Sequence, residues 1–215
     1  MKIYTPLKQL IDLSFIYVIN TCSKYNIDDS HSLIHSIDVL RYANKIYDTE
    51  SKINQSLDKY KNVIFLSAVL HDMCDDKYMD QNRGVTDIEE FLKPHICVES
   101  IGNIKTIIST MSYTKVKSYG FPELGEMQTA YNIVREADLL AAYDIKRSII
   151  YNMYQNKENE DRNFSYSNVC AEFLFLNRVL KHFDDELFVT ESGKEIGKKL
   201  HDEVISEINE IKHYY

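Results

Sequence analysis

Val63-Ile64-Phe65-Leu66-Ser67-Ala68-Val69-Leu70-His71-Asp72 is the stretch on which the reading of this chain turns. A helix written over Val63 to Leu70 is apolar on every side, so it has no face to offer to water and belongs deep in a core. It then ends abruptly in two side chains that bind metals. Aspartate is among the residues least often buried unless paired, and a cation beside Asp72 would offset its desolvation. The same dipeptide at the end of a helix can also emerge into solvent, and taken alone it leaves both readings open. His201-Asp202 serves as an internal control. Lys198, Lys199 and Glu203 around it mark a solvated helix surface, and it is assigned no role. His182, followed by Asp184 and Asp185, reads as a helix-end or surface arrangement.

Working outward, helical patterning continues in both directions. The spacing predicts helices over Thr5 to Asn26, then over His31 to Tyr47 with Ser30 as N-cap and Ile34, Ile37, Leu40, Ala43 and Ile46 as its stripe. A third helix runs from Ile53 to Met73. A polar rim loop follows over Asp75 to Asp87, containing Gly84, and a short helix over Ile88 to Leu92 stops before Pro94. Cys97 to Met111 reads as a helix, Ser112 to Pro122 as a loop, and Met127 to Tyr154 as one long helix. After a polar break at Gln155 to Arg162, helices over Phe164 to Leu187 and Thr190 to His213 close the chain. With 6 Gly and 3 Pro in 215 residues there are too few turn formers for a β-rich protein. The expected fold is all-α: one domain over residues 1–215, with a core at about 27–145 and supporting C-terminal helices at about 146–215.

A formal charge of -8 repels phosphate backbones at long range and argues against a general nucleic-acid partner. A small anion remains admissible, because a local group of cations or a metal can hold it against the global field. Cys22, Cys74, Cys97 and Cys170 form no Cys-x-x-Cys pair, and they read as free thiols in a reducing compartment. Neither a signal peptide nor a membrane span is evident, so the expected location is cytoplasmic, with no membrane partner.

Two further residues carry chemistry. Asp138 has Tyr131, Val134, Ala141, Ala142 and Ile145 as its helical neighbours, so its carboxylate points at the core. Such a group must be protonated, ion-paired or metal-bound, and no obvious Lys or Arg partner stands on its face, which favours metal binding. His35 shares a helix face with His31 and Asp38, and an i+3 carboxylate can orient an imidazole by accepting its second N–H.

In this order, His…His-Asp…Asp, the chain resembles the HD-domain phosphohydrolases. The matching segments are Asp29-Ser-His-Ser-Leu-Ile-His35, Ala68-Val-Leu-His-Asp72 and Ile133-Val-Arg-Glu-Ala-Asp-Leu-Leu140. The resemblance spans most of the chain and implies a helical HD bundle with His35, His71, Asp72 and Asp138 as metal ligands. Two imidazoles and two carboxylates suit Mn²⁺, with Mg²⁺, Fe²⁺, Co²⁺, Ni²⁺ and Zn²⁺ as competitors. The chain departs from the family in carrying Asp38 where a basic residue is common.

His71-Asp-Met-Cys-Asp-Asp76 further resembles the His-Asp-x-x-Glu-Asp motif of HD enzymes that act on guanosine alarmones. If the helix continues past Asp72, Asp75 and Asp76 lie over the ligands as a proton-transfer pair; otherwise they are a solvated helix end. Small HD nucleotide pyrophosphohydrolases are similar in the Ser-His before the first ligand and in the acidic-Lys stretch. They also share a Ser-Tyr segment and a Thr-x-x-Gly, here Thr190 to Gly193, at the final helix. The resemblance thus implies a nucleoside triphosphate cleaved to monophosphate and pyrophosphate, with His31, Lys77, Lys115 and Lys117 near the phosphates. It also admits a homodimer. A phosphodiesterase, a nucleotide phosphatase or a non-catalytic nucleotide sensor would keep the same ligands. The 16 Tyr can supply walls for a base, yet none stands out by position.

Overall fold

The computed structural model describes residues 4–155 and 175–212, and among these no strand occurs. The chain is all-α. Helix α1 spans Leu7–Tyr25, with Pro6 before its first turn and Asn26 closing it in the left-handed region. Helix α2 spans Leu33–Ile53 and α3 spans Lys61–Leu70. Then follow α4, Gln81–Leu92, α5, Val98–Thr110, α6, Tyr113–Tyr119, α7, Gln128–Ala141, and α8, Ile145–Gln155. A single turn α9, Lys181–Asp184, and the long α10, Glu191–Lys212, complete the described chain.

Every residue of α3 from Val63 to Leu70 is buried, as its all-round apolar surface requires. Helices α1, α2, α5 and α7 pack around it, and α2 also runs against α7. Below Leu70 the chain tightens into a 3₁₀ turn, His71–Cys74. That turn is held from outside by α4. A Cβ added at Gly84 would lie 2.8 Å from the Cα of Cys74, so only glycine lets α4 approach so closely.

Several expectations are corrected. Ser30 is not the cap of α2. Asp28 accepts the Ser30 N–H, and a short 3₁₀ turn, Asp29–His31, precedes the helix. The inward face of α2 carries His35, Val39, Tyr42, Ala43 and Ile46, while Ile34 is 71% and Ile37 45% exposed. The expected third helix is divided. Its first part belongs to α2 and to a 3₁₀ turn, Gln55–Tyr60, in which Asn54 accepts the Ser56 N–H. The rim loop and the Ser112 to Pro122 loop both contain helix, opened by Asp80 and Ser112 as side-chain caps. The long helix over Met127 to Tyr154 breaks after Ala141, where the Asp144 side chain accepts the N–H groups of Lys146 and Arg147 and starts α8.

The helix expected over Phe164 to Leu187 lies partly outside the described residues, as do most of the Gln155 to Arg162 break and Cys170. Among the described cysteines, Cys22, Cys74 and Cys97 are free thiols. No helix among the described residues is long and apolar enough to cross a membrane.

Helix α10 docks on the rest through its first turn. Buried Glu136 on α7 accepts the Val189 and Thr190 N–H groups and the Thr190 hydroxyl, while Glu50 on α2 accepts the Ser192 N–H and hydroxyl. Two carboxylates thus meet the positive end of one helix. Thr190-x-x-Gly is therefore a docking motif in this chain, with the Thr190 hydroxyl also accepting the Gly193 N–H.

Candidate metal centre and its cleft

His35 sits near the start of α2, His71 and Asp72 in the turn after α3, and Asp138 near the end of α7. Packing of these elements brings all four side chains together. The Nε2 atoms of His35 and His71 lie 3.1 Å apart. The Asp72 Oδ2 lies 3.3 Å from His35 and its Oδ1 3.3 Å from His71, and the Asp138 Oδ1 lies 3.2 Å from His35 and 3.5 Å from His71. His35, His71 and Asp138 meet the mutual spacing of a cation-ligating group, with Asp72 beside them.

Protonation states follow from the contacts. The His71 Nδ1 lies 3.0 Å from the Ala68 carbonyl, which can only accept, so Nδ1 carries the proton and the neutral ring's lone pair is on Nε2. Burial disfavours the charged His71 ring, but the Asp72 and Asp138 carboxylates outweigh it and raise its pKa well above the usual histidine value. Burial, reinforced by the Arg147 charge, lowers His35 to about 4. Burial would raise both aspartates, yet the neighbouring histidines, His71 first among them, hold Asp72 and Asp138 below the ordinary carboxylate range.

The residues fit a divalent cation. Two imidazole nitrogens and two carboxylates converge, and the buried Asp72 Oδ2 has no hydrogen-bond donor among the described residues. The buried Arg135 guanidinium is committed to partners other than Asp138. It donates to the Leu187 carbonyl and lies 3.7 Å from Glu136. Asp38 does not orient His35, because it pairs with Arg41 at 3.0 Å.

The cluster lies at the floor of a cleft with two lobes, the first of about 880 Å³ with open solvent included. Asp72, Asp75, Lys77, Ser112, Tyr113 and Asp138 line both lobes. His31 lines the first, and Asp76 and Lys115 line the second. Lys117 lines neither; it is exposed, 3.3 Å from the Tyr113 hydroxyl. The α-helix ends at Leu70 and the 3₁₀ turn after it stops at Cys74, so Asp75 and Asp76 are not stacked one turn above the ligands. Asp75 is extended, accepts the Lys77 N–H and faces its ammonium at 3.3 Å, while Asp76 is exposed. Lys115 donates to the Gln81 side chain and the Ser109 carbonyl, both neutral acceptors, so it is fixed in place with its charge uncompensated by them.

His31 belongs to a network whose other members sequence reasoning passed over. Buried Asp28 accepts the hydroxyl protons of both Ser30 and Tyr78. With those protons committed, the His31 Nδ1, 2.8 Å from the Ser30 hydroxyl and 3.1 Å from the Tyr78 hydroxyl, is left to donate. The neutral ring then keeps its lone pair on Nε2. Arg147 was also passed over, because it fell inside a helix taken as continuous. It donates to the Ser30 carbonyl and lines the first lobe. Asp144, as an N-cap three residues earlier, was the legible signal of that break. His182, expected near a helix end or surface, is 2% exposed and lines the same lobe.

No protein-family model matches the chain, and no curated protein matches it. Two solved structures are similar to it over 97% of both chains at 17% identity: the crystal structure of Bacillus subtilis YpgQ, with a TM-score of 0.63, and that of its selenomethionine form, with 0.64. At that identity the likeness is one of fold.

Proposed function

We propose that the chain is a metal-dependent phosphohydrolase of the HD-domain kind, cleaving a nucleoside triphosphate to the monophosphate and pyrophosphate. The observation that carries this reading is the convergence of His35, His71, Asp72 and Asp138, from three separate elements, at the floor of a cleft lined with cations. A divalent cation there, Mn²⁺ by the donor set, supplies a Lewis acid that acidifies water and offsets charge on a phosphoryl oxygen. The chain's own groups do the rest. Lys77 and Lys115 attract the phosphates, and Lys115 holds its position through two hydrogen bonds. His31, fixed through Nδ1, offers its Nε2 lone pair to a proton on the phosphate or on water. Asp75 borders both lobes and stands as the group that takes a proton from attacking water.

Phosphorus NMR of products from a nucleotide panel, run with Mn²⁺ and other divalent cations, tests the reading. Pyrophosphate is the expected product, and orthophosphate, an opened diester or no turnover would each replace it with a different reading. Asp72→Ala is expected to abolish both cation binding and turnover, and full activity in that variant would overturn the site assignment.

A further inference from the structure

The two lobes share the metal cluster and differ in the side chains beyond it. The second lobe is bordered by Gln81, Thr114 and Lys115, with Ile108 and Met111 behind them, and its Lys115 ammonium suits a hydrated anion. The first lobe extends beyond the metal cluster to Tyr113, Leu139, Ala142, Tyr151, Val179 and His182, three of them rings. Tyr113 and His182 form one corner, with ring centroids 5.2 Å apart. Tyr151 forms another, its ring 5.7 Å from that of His31 and 5.9 Å from the Lys77 ammonium. Aromatic faces beside phosphate-attracting cations are the arrangement that holds a heterocycle joined to a phosphate.

We infer that the Tyr113–Tyr151–His182 end of the first lobe is a nucleobase site, which sets the substrate's direction through the cleft. The base lies against Tyr151 and the Tyr113–His182 corner, the phosphate attached to its sugar lies at the metal cluster, and the departing pyrophosphate leaves past Lys115. His182 closes the base end of this lobe against Tyr113. This assignment rests on the proposed nucleotide chemistry but makes a separate claim about affinity.

The test is calorimetric titration of Mn²⁺-loaded protein with the four common ribonucleoside monophosphates and with ribose 5-phosphate, which lacks a base. The monophosphates are expected to bind roughly tenfold or more tightly than ribose 5-phosphate, the magnitude of one lost base–aromatic stack. Tyr151→Ala is expected to lower monophosphate affinity more than ribose 5-phosphate affinity and so remove that advantage, and Tyr151→Phe to retain it. Equal affinity for ribose 5-phosphate and the monophosphates, or an equal loss of both in Tyr151→Ala, would overturn the base site. The two proposals fail separately. Hydrolysis of a phosphate compound without any base-dependent affinity leaves the hydrolase and removes the base site, whereas base-dependent binding without turnover does the reverse.

Discussion

His71 shows how a single side chain can hold a site together before any cation arrives. Its imidazolium faces Asp72 and Asp138, and burial, which alone would lower its pKa, is overcome by those two charges. A histidine raised in the fold contributes stability that is present below its ordinary value, about 6.5, and is lost as pH rises through the higher folded value. Cation binding has the opposite sign, because the ring must lose its Nε2 proton to become a ligand. Mn²⁺ affinity is therefore expected to climb by about tenfold per pH unit from pH 6 until His71 is neutral, measured by calorimetry at fixed ionic strength. A flat profile would mean that His71 is not a ligand. His35 adds nothing to this slope, since it is already neutral far above its value of about 4.

At the scale of elements, the docking of α10 on α7 links the C-terminal helix to the helix that carries Asp138. An ideal Cβ at Gly193 would lie 2.0 Å from the Glu136 Oε2 and 2.7 Å from the Thr190 hydroxyl, so there is no space for one. Gly193→Ala forces the carboxylate off its hydrogen bonds, and a loss of roughly 1–3 kcal/mol in urea unfolding is expected. An unchanged midpoint would show that α10 yields freely. Reading helices from the sequence worked best where one surface decides the outcome, as in α3, and failed where a cap competes with a continuing pattern. Asp144 stops one helix and starts another between residues that all favour helix, and periodicity alone does not register that. The inward face of α2 was misjudged for a related reason. Ile34 and Ile37 have the apolar character, but the inward turn of His35 is compensated by three polar partners waiting on α7 and below α3.

Across the whole molecule, the four ligand residues tie α2, the turn after α3 and α7 at a single point, so a bound cation cross-links segments distant in sequence. Such a ligand stabilises the fold by about 2.7 kcal/mol at a hundredfold excess over Kd. Mn²⁺ is expected to raise the Tm of the native protein and to leave that of His35→Ala unchanged, and scanning calorimetry checks both. An equal rise in both proteins would place the cation elsewhere. The all-helical class, the buried α3 and the presence of a His-Asp pair at its end were determined by the sequence itself, because burial of an all-round apolar helix and the scarcity of turn formers are local properties. The reach of Arg147 to Ser30, the burial of His182 and the departure of Lys117 from the cleft were decided only in the tertiary structure. Each depends on how residues tens of positions apart pack, and no local pattern of charge or apolarity encodes that distance.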